Sequence, residues 1–287
     1  MVLNIKQRFI SAAVGIPLAV VVLFFYNTVL LNIAIAVVTL IAVYEIFVAT
    51  KYLSNKGLVA ICFIFAAFIP FFNVTNAHIT SEAFCFVFIL VLFIFLLFNH
   101  KTMRFEQIGT VFMLTLLLSF SFSCLVFIRD LYKGQAKPDR LAMFYLLLVF
   151  FGAWVTDAGA YFIGYFFGKT KLAPNISPKK TVEGAVGGIV STVVFFFAAA
   201  LVYRWYISTL GYTITVDYLL LSIAALFSAA AAILGDLSAS LIKRECNIKD
   251  FGNILPGHGG VMDRFDSIMF VAPLLFIFQQ IFRIIGN

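Results

Sequence analysis

Residues 141–166 read LAMFYLLLVFFGAWVTDAGAYFIGYF, a run in which Asp157 is the one Asp, Glu, Lys, Arg or His. About 20 consecutive apolar residues in a helix cross the hydrocarbon core of a bilayer. Because lipid offers no partners to backbone N–H and C=O groups, a run of this kind is stable in lipid as a helix. The stretch therefore predicts a transmembrane helix with a carboxylate inside it.

Eight further apolar stretches bring the number of expected spans to nine. The chain is 63% apolar with 36 Phe residues and a mean hydropathy of +1.07, whereas soluble domains are close to half apolar. The first stretch lacks a signal-peptide cleavage pattern, so we expect it to be a retained span. We predict an all-α fold, a polytopic transmembrane helical bundle of about nine spans at 9–26, 29–49, 57–73, 83–98, 107–128, 141–166, 184–206, 218–242 and 266–285.

The distribution of basic residues predicts the orientation of these helices. With nine spans and a cytoplasmic N-terminus, 14 of the 20 Lys and Arg residues lie on the cytoplasmic side and 6 on the other, as the positive-inside rule requires. Loop 129–140 is the exception, because it holds four of those six. The net charge of +7 suits anionic lipid head groups, and no soluble basic face is expected that could bind nucleic acid.

The chain changes character near residue 140. Residues 1–140 hold Phe-, Leu- and Ile-rich spans, and Glu45 is their one ionisable residue well inside a span. We interpret 1–140 as N-terminal scaffold helices. Gly, Ala, Ser and acidic residues become frequent in 141–287, which we interpret as the catalytic transmembrane region of a single membrane domain. The four cysteines occur without a C-x-x-C pair, and three lie in apolar spans where packing explains them.

Asp157 is a candidate site residue because of its depth in a predicted span. A carboxylate inside lipid is unfavourable unless it faces a polar cavity, a cation or a partner. Tyr161 and Tyr165 follow at i+4 and i+8 and so share its helix face. A hydrogen bond between helices is the structural alternative, and we favour a role in lining a site.

Asp236 repeats this situation in the span 218–242. Ser240 and Lys243 follow at i+4 and i+7 and form one polar stripe toward the predicted cytoplasmic loop. A structural Lys243–Asp236 pair is the alternative. We favour a metal ligand, because a hard oxygen donor at the water boundary suits Mg²⁺.

Asp263 and Asp266 are spaced i, i+3 just before the last span. If the chain is helical there, both carboxylates point the same way, and their repulsion favours a cation between them. Arg264 could instead neutralise one of them. Together with Asp236, the pair could bring three carboxylates to one membrane interface, enough for one or two metal ions.

Two glycine-containing loops carry the remaining candidates. Gly257-His258-Gly259-Gly260 offers backbone that can approach a phosphate closely, with His258 either donating to a phosphate oxygen or capping a turn. The loop 177–184, SPKKTVEG, offers two ammonium groups, two hydroxyls and a helix N-terminus, which together suit an anion. Lipid head-group attraction is the alternative for that loop, although Glu183 disfavours it. Gly184 and Gly188 form a G-x-x-x-G typical of close helix packing.

The two loops together resemble the phosphatidate cytidylyltransferase family, also called CDP-diacylglycerol synthases. The resemblance covers residues 154–270, and the N-terminal spans agree with the family only in being apolar. The family's C-terminal pattern is Ser-x-apolar-Lys-Arg, then Lys-Asp, then His-Gly-Gly-x-x-Asp-Arg-x-Asp, and an upstream element reads Ser-Pro-x-Lys-Thr-x-Glu-Gly. The matching positions are Ser240, Lys243, Arg244, Lys249, Asp250, His258, Gly259, Gly260, Asp263, Arg264 and Asp266, with Ser177, Pro178, Lys180, Thr181, Glu183 and Gly184 upstream.

The resemblance implies transfer of CMP from CTP to phosphatidate in phospholipid biosynthesis, with release of pyrophosphate. It also implies Mg²⁺ with a second cation, for which K⁺ is a candidate, held by Asp236, Asp263 and Asp266. We predict a catalytic set of Asp236, Asp263, Asp266, Lys243, Arg244 and His258. We predict a substrate-binding set of Ser177, Lys179, Lys180, Thr181, Glu183, Ser240, Lys249, Gly259, Gly260, Arg264 and Asp157.

Two other functions are weighed against this one. A CTP-dependent polyprenol or phytol kinase has related motifs and would pass on the γ-phosphoryl group instead. A cation-coupled transporter could use Asp157 and Asp236 for its ion, but it would leave the basic loops without a purpose. We expect a bacterial inner membrane protein with its active site facing the cytoplasm and with membrane lipids as partners. The sequence leaves the oligomeric state open, a homodimer included.

Overall fold

The computed structural model describes residues 17, 19–51, 55–72, 81–133, 140–254 and 259–286. Two compact units divide the chain. Unit 1 consists of Met1–Phe127 and Cys246–Arg264, and unit 2 consists of Ile128–Glu245 and Phe265–Asn287. Each unit is therefore formed by two separate segments of the sequence.

Helices dominate the described residues. In chain order they are α1 (Val29–Ala49), α2 (Lys56–Phe68), a 3₁₀ turn (Ile69–Phe71), α3 (Ser81–Phe98), α4 (Phe105–Leu131), α5 (Leu141–Phe167), α6 (Val182–Thr209), α7 (Tyr218–Glu245), α8 (Met262–Phe265) and α9 (Ile268–Ile281). Side chains define several helix starts. The Thr28 hydroxyl accepts a hydrogen bond from the Leu30 N–H at 3.2 Å, and the Asn55 side chain accepts one from the Leu58 N–H at the same distance. Both contacts satisfy N–H groups that lack a partner within the helix.

Within the described part of the chain, five helices are long and apolar enough to cross a membrane, namely α1, α4, α5, α6 and α7. Three more apolar helices are shorter, at Lys56–Phe71, Ala83–Phe98 and Ile268–Ile281. The prediction of an all-α integral membrane protein is confirmed, whereas nine spans remain a prediction. Most of the first predicted stretch, 9–26, lies outside the described residues.

Two small antiparallel sheets accompany the helices and were not expected from the sequence. In unit 2, β1 (Lys171–Ala173) pairs with β2 (Ser177–Thr181), so that Lys171 lies opposite Thr181. A second pair joins β3 (Thr215–Val216) to β4 (Ile285–Gly286). The β1–β2 hairpin connects α5 to α6 and contains the SPKKT segment.

Small residues allow α5 and α6 to approach closely. A side-chain carbon added at Gly188 would lie 2.7 Å from the Thr156 carbonyl oxygen, and one at Gly184 would lie 2.7 Å from that of Ala160. The Thr156 and Thr192 hydroxyls also hydrogen-bond across these helices at 2.6 Å. The predicted packing role of the G-x-x-x-G motif is confirmed. This packing fixes the side of α5 from which Asp157 extends.

We expect Gly188→Ala to lower the melting temperature in detergent by several degrees. The added methyl group meets backbone, which cannot move aside as a side chain could, and overpacking of this kind costs about 1–3 kcal/mol. Gly109→Ala, on α4, is the matched control, because a carbon added there meets nothing within 4 Å. That variant should unfold at the parental temperature or slightly above it, since Ala favours helix over Gly. Equal melting temperatures for the two variants would contradict the packing argument.

Candidate active site

Three carboxylates of unit 2 lie around the start of α9. Asp157 extends from α5, Asp236 from α7, and Asp266 from the turn between α8 and α9. Ser267 joins two of them, because its hydroxyl donates to Asp157 Oδ2 at 2.9 Å and its N–H donates to Asp266 Oδ1 at 2.8 Å. Gly235 lets α7 approach this turn, since a side-chain carbon there would lie 2.5 Å from the Asp266 carbonyl oxygen.

Burial and the neighbouring carboxylates both disfavour the ionised form of Asp266. Burial, together with the nearby carboxylates of Asp236 and Asp157, raises the pKa of the Asp266 carboxyl to about 7, while Lys243 and the Ser267 N–H oppose the shift. The side chain is 8% exposed, so water does little to stabilise its charge. A group in this position is stabilised in its ionised form by an added cation. The cluster is therefore one that favours positive charge.

Lys180 forms the ion pair with Asp236. Its ammonium nitrogen lies 2.6 Å from Asp236 Oδ2, and both side chains are about one quarter exposed, 23% and 29% respectively. The sequence interpretation weighed Lys243 as a partner of Asp236, and the structure shows Lys180 as a partner that it did not include. Ser240 donates to Asp236 Oδ1 over 3.4 Å, a long hydrogen bond that adds little.

Hydrogen bonds at both ends fix the β1–β2 hairpin. The Glu183 carboxylate accepts from the Lys169 and Thr170 N–H groups at 3.1 Å, and the Thr181 hydroxyl caps α6 by accepting from the Gly184 N–H at 3.1 Å. At the turn of the hairpin, Arg244 Nε donates to the Ile176 carbonyl at 3.3 Å. Thr181 and Glu183 thus already serve the local structure, and their predicted contacts with substrate stay a prediction.

A cavity of about 700 Å³ opens beside these groups, within unit 2. Its wall combines two carboxylates, three lysines, two tyrosines, two branched apolar side chains and small residues. They are Asp157, Ala160, Tyr161, Gly164, Tyr165, Gly168, Lys171, Leu172, Lys179, Lys180, Thr181, Ala185, Ile233 and Asp236. Tyr161 and Tyr165 stack with ring centroids 6.3 Å apart. Their predicted position on the same helix face as Asp157 is confirmed.

Asp263 belongs to unit 1, where its carboxylate holds backbone. Asp263 Oδ2 accepts from the Phe251 N–H at 2.8 Å and from the Gly260 N–H at 3.0 Å. Helix α8 ends at Phe265, so Asp263 and Asp266 do not share one continuous helix. A metal-binding role of Asp263 stays a prediction.

The remaining predicted site residues differ in their backbone conformation and exposure. Gly259 adopts φ +87°, a conformation that favours glycine. Lys249 and Arg264 are exposed. His258 lies outside the described residues, so its predicted contact with phosphate is not tested. In the upstream element, Ser177 begins strand β2 and is half-buried.

The aspartates supply the oxygen ligands that Mg²⁺ prefers, but few of them lie close together. Among the described residues, no group of three or more Asp, Glu, His or Cys side chains is arranged to hold a metal. Proteins commonly bind Mg²⁺ through one or two carboxylates, with water and substrate phosphates completing the coordination. Asp236 and Asp266 offer two carboxylates of this kind, and the raised pKa of the Asp266 carboxyl indicates that burial and the neighbouring carboxylates disfavour its charge.

Three further residues of these sites were missed by the sequence interpretation. Lys171 lines the cavity, and its signal was the run of lysines before SPKKT. Ser267 directly follows Asp266, and this position was the only feature of the sequence that could have indicated it. Glu45 was assigned to scaffold, although it was the one ionisable residue deep in a span of that region. Its carboxylate accepts hydrogen bonds from the N–H groups of Val261 and Met262.

The cavity combines lysines of the hairpin with aspartates of the long apolar helices, a lining that suits a membrane protein with anionic ligands. The chain belongs to the cytidylyltransferase family, which it matches over residues 6–282. A phosphatidate cytidylyltransferase of Bacillus subtilis (strain 168) is 32% identical over 287 residues, 97% of this chain and 99% of that protein. A phosphatidate cytidylyltransferase of Aquifex aeolicus (strain VF5) is 42% identical over 141 residues, 49% of each chain.

Proposed function

We propose that this chain transfers CMP from CTP to phosphatidate and so forms CDP-diacylglycerol and pyrophosphate. The observation that carries the proposal is the cavity of unit 2, in which Lys171, Lys179 and Lys180 face the same space as Asp157 and Asp236. Membership in the cytidylyltransferase family and similarity to two phosphatidate cytidylyltransferases support it. Two polyanionic substrates need positive charge to approach each other, and this wall provides it.

The reaction does not require a strong general base in the protein. A phosphate oxygen of phosphatidate is already ionised and attacks the α-phosphorus of CTP, while the bond between the α-phosphorus and the bridging oxygen breaks and pyrophosphate leaves. Catalysis then depends on orientation and on stabilising charge. Lys179 and Lys180 line the cavity and would neutralise phosphate oxygens there, and Lys243 and Arg244 at the end of α7 would supply further positive charge.

We propose Mg²⁺ as the cofactor, with K⁺ as the candidate second cation. Asp236 and Asp266 would hold Mg²⁺, because both are oxygen donors and the ionised form of Asp266 needs positive charge. When bound, the ion neutralises phosphate charge as a Lewis acid. Ser267 keeps Asp157 and Asp266 oriented through its hydroxyl and its N–H.

The orientation in the membrane follows from the basic loops. We propose nine spans with a cytoplasmic N-terminus in a bacterial inner membrane. The active site would then face the cytoplasm, where CTP is made. Lys179, Lys180, Lys243 and Arg244 all fall on that side in the nine-span topology, and their placement agrees with the positive-inside rule.

Purified protein in detergent micelles tests the reaction directly. With phosphatidate, Mg²⁺ and CTP labelled at the α-phosphorus, we expect label in the lipid extract together with one pyrophosphate per lipid product. CTP labelled at the γ-phosphorus should leave the lipid unlabelled and label the pyrophosphate. Excess chelator should abolish transfer, and added Mg²⁺ should restore it. Label from the γ-position in lipid would indicate a kinase, and undiminished transfer in chelator would exclude the proposed cofactor.

A further inference from the structure

Glu45 of α1 is enclosed by the segment that carries the glycine and aspartate motif. Its side chain is 1% exposed. Oε1 accepts from the Val261 N–H at 3.0 Å, and Oε2 accepts from the Met262 N–H at 2.8 Å. These partners are 216 and 217 residues away in the sequence, yet all three residues belong to unit 1.

Two glycines allow the backbone to close around this carboxylate. A side-chain carbon at Gly260 would lie 2.6 Å from Glu45 Oε2. One at Gly252 would collide with the same carboxylate from the other end of the segment. The contact therefore requires the absence of side chains at both positions, which indicates a fitted binding place for the Glu45 carboxylate.

The Asp263 carboxylate binds two further backbone N–H groups near those held by Glu45. It accepts from Gly260 at 3.0 Å and from Phe251 at 2.8 Å. The consecutive N–H groups of 260, 261 and 262 thus all donate to carboxylates, the first to Asp263 and the other two to Glu45. Backbone held by four such bonds has one conformation rather than many.

We propose that Glu45 is a positioning residue for the transfer reaction, one that holds the motif segment 259–263 in its working conformation from α1. The inference rests on the proposed function. A carboxylate presents an acceptor oxygen to each of the two N–H groups. A glutamine presents one oxygen and one NH₂ group, and the NH₂ group would face a second donor. The isosteric change therefore breaks half of the contact without leaving a cavity.

We expect Glu45→Gln to lower kcat about 10- to 100-fold, the range found when groups that orient a catalytic centre are removed. The KM for CTP should change far less. Hydrogen exchange at the Val261 and Met262 amides should become faster, while exchange in α5 and α6 stays parental. A merely structural role would lower the melting temperature without this selective loss in kcat.

Asn32→Ala is the matched control on the same helix. Asn32 is also buried and donates to a backbone group, the Pro70 carbonyl at 2.6 Å, but it holds a segment outside the motif. We expect a lower melting temperature with parental kcat. If kcat falls in proportion to the melting temperature in both variants, Glu45 has only a structural role and the proposal is overturned.

Gly252→Ala provides a second variant in case Glu45→Gln does not fold. It retains the carboxylate and pushes the segment away from it, so it should also lower kcat and speed exchange at Val261 and Met262. A folded Gly252→Ala protein with parental kcat and parental exchange would refute the proposal. If the parental protein transfers nothing from CTP to phosphatidate, the proposed function fails, and the exchange rates still decide whether Glu45 holds the segment.

Discussion

Asp236→Asn protein should form labelled lipid from α-labelled CTP at least about 100-fold more slowly than the parental protein, the size of effect seen when one preorganised charge-stabilising group is lost. The change keeps the shape of the side chain and removes its charge. It deprives the proposed cation of one of two carboxylates and Lys180 of its partner at 2.6 Å. Initial rates at saturating CTP and phosphatidate, measured over a range of Mg²⁺ concentrations, give the comparison.

The matched control for this variant is Glu245→Gln at the end of the same helix. Glu245 is exposed and closes α7, so losing its charge should leave the rate unchanged. Both variants should melt within a few degrees of the parental protein, which separates lost chemistry from lost fold. A parental rate in Asp236→Asn would remove this carboxylate from the mechanism and with it the proposed cation site.

Lys180→Met should lower kcat/KM for CTP about 10- to 100-fold. The ammonium group lines the cavity and pairs with Asp236, and hydrogen bonds to charged groups contribute about 1.5–3 kcal/mol each. Because the two residues form one interaction, their effects should not add. The double variant Lys180→Met/Asp236→Asn should therefore be little slower than Asp236→Asn alone.

Lys169→Met is the matched control for the lysine variant. Lys169 lies two residues before β1, its side chain is exposed, and it contacts Glu183 through its backbone N–H. Removing its charge keeps that bond and should leave kcat/KM for CTP near the parental value. Equal losses in both variants would mean that the net basic charge of the region, rather than Lys180 itself, attracts the nucleotide.

The apolar pattern predicted the helices closely because lipid permits little besides helix in such runs. Stretch 141–166 became Leu141–Phe167, and 29–49 became Val29–Ala49. The last stretch, 266–285, shortened to Ile268–Ile281, because Phe282 turns extended and Ile285–Gly286 pair with β3. The number of spans does not follow from the pattern, since helix length decides crossing and three apolar helices are short.

The positions of the chemical groups were predictable where helix periodicity applies. Periodicity put Tyr161 and Tyr165 beside Asp157, and the cavity contains all three. It could not supply the partner of Asp236, because Lys180 reaches it from a hairpin whose path depends on pairing of β1 with β2. The partners of Glu45 could not be predicted either, because they are backbone N–H groups, which nearly every residue type has.

The lysines of the β1–β2 hairpin are carried by a segment that is anchored at both ends. Glu183 holds its base and Arg244 its tip. A ligand entering the cavity thus meets ammonium groups on a backbone that is already ordered. Association then loses less conformational entropy than it would with a loose basic loop. Weakening either anchor should leave the charge count intact and yet slow productive capture of the nucleotide, so that affinity here depends on rigidity as much as on charge.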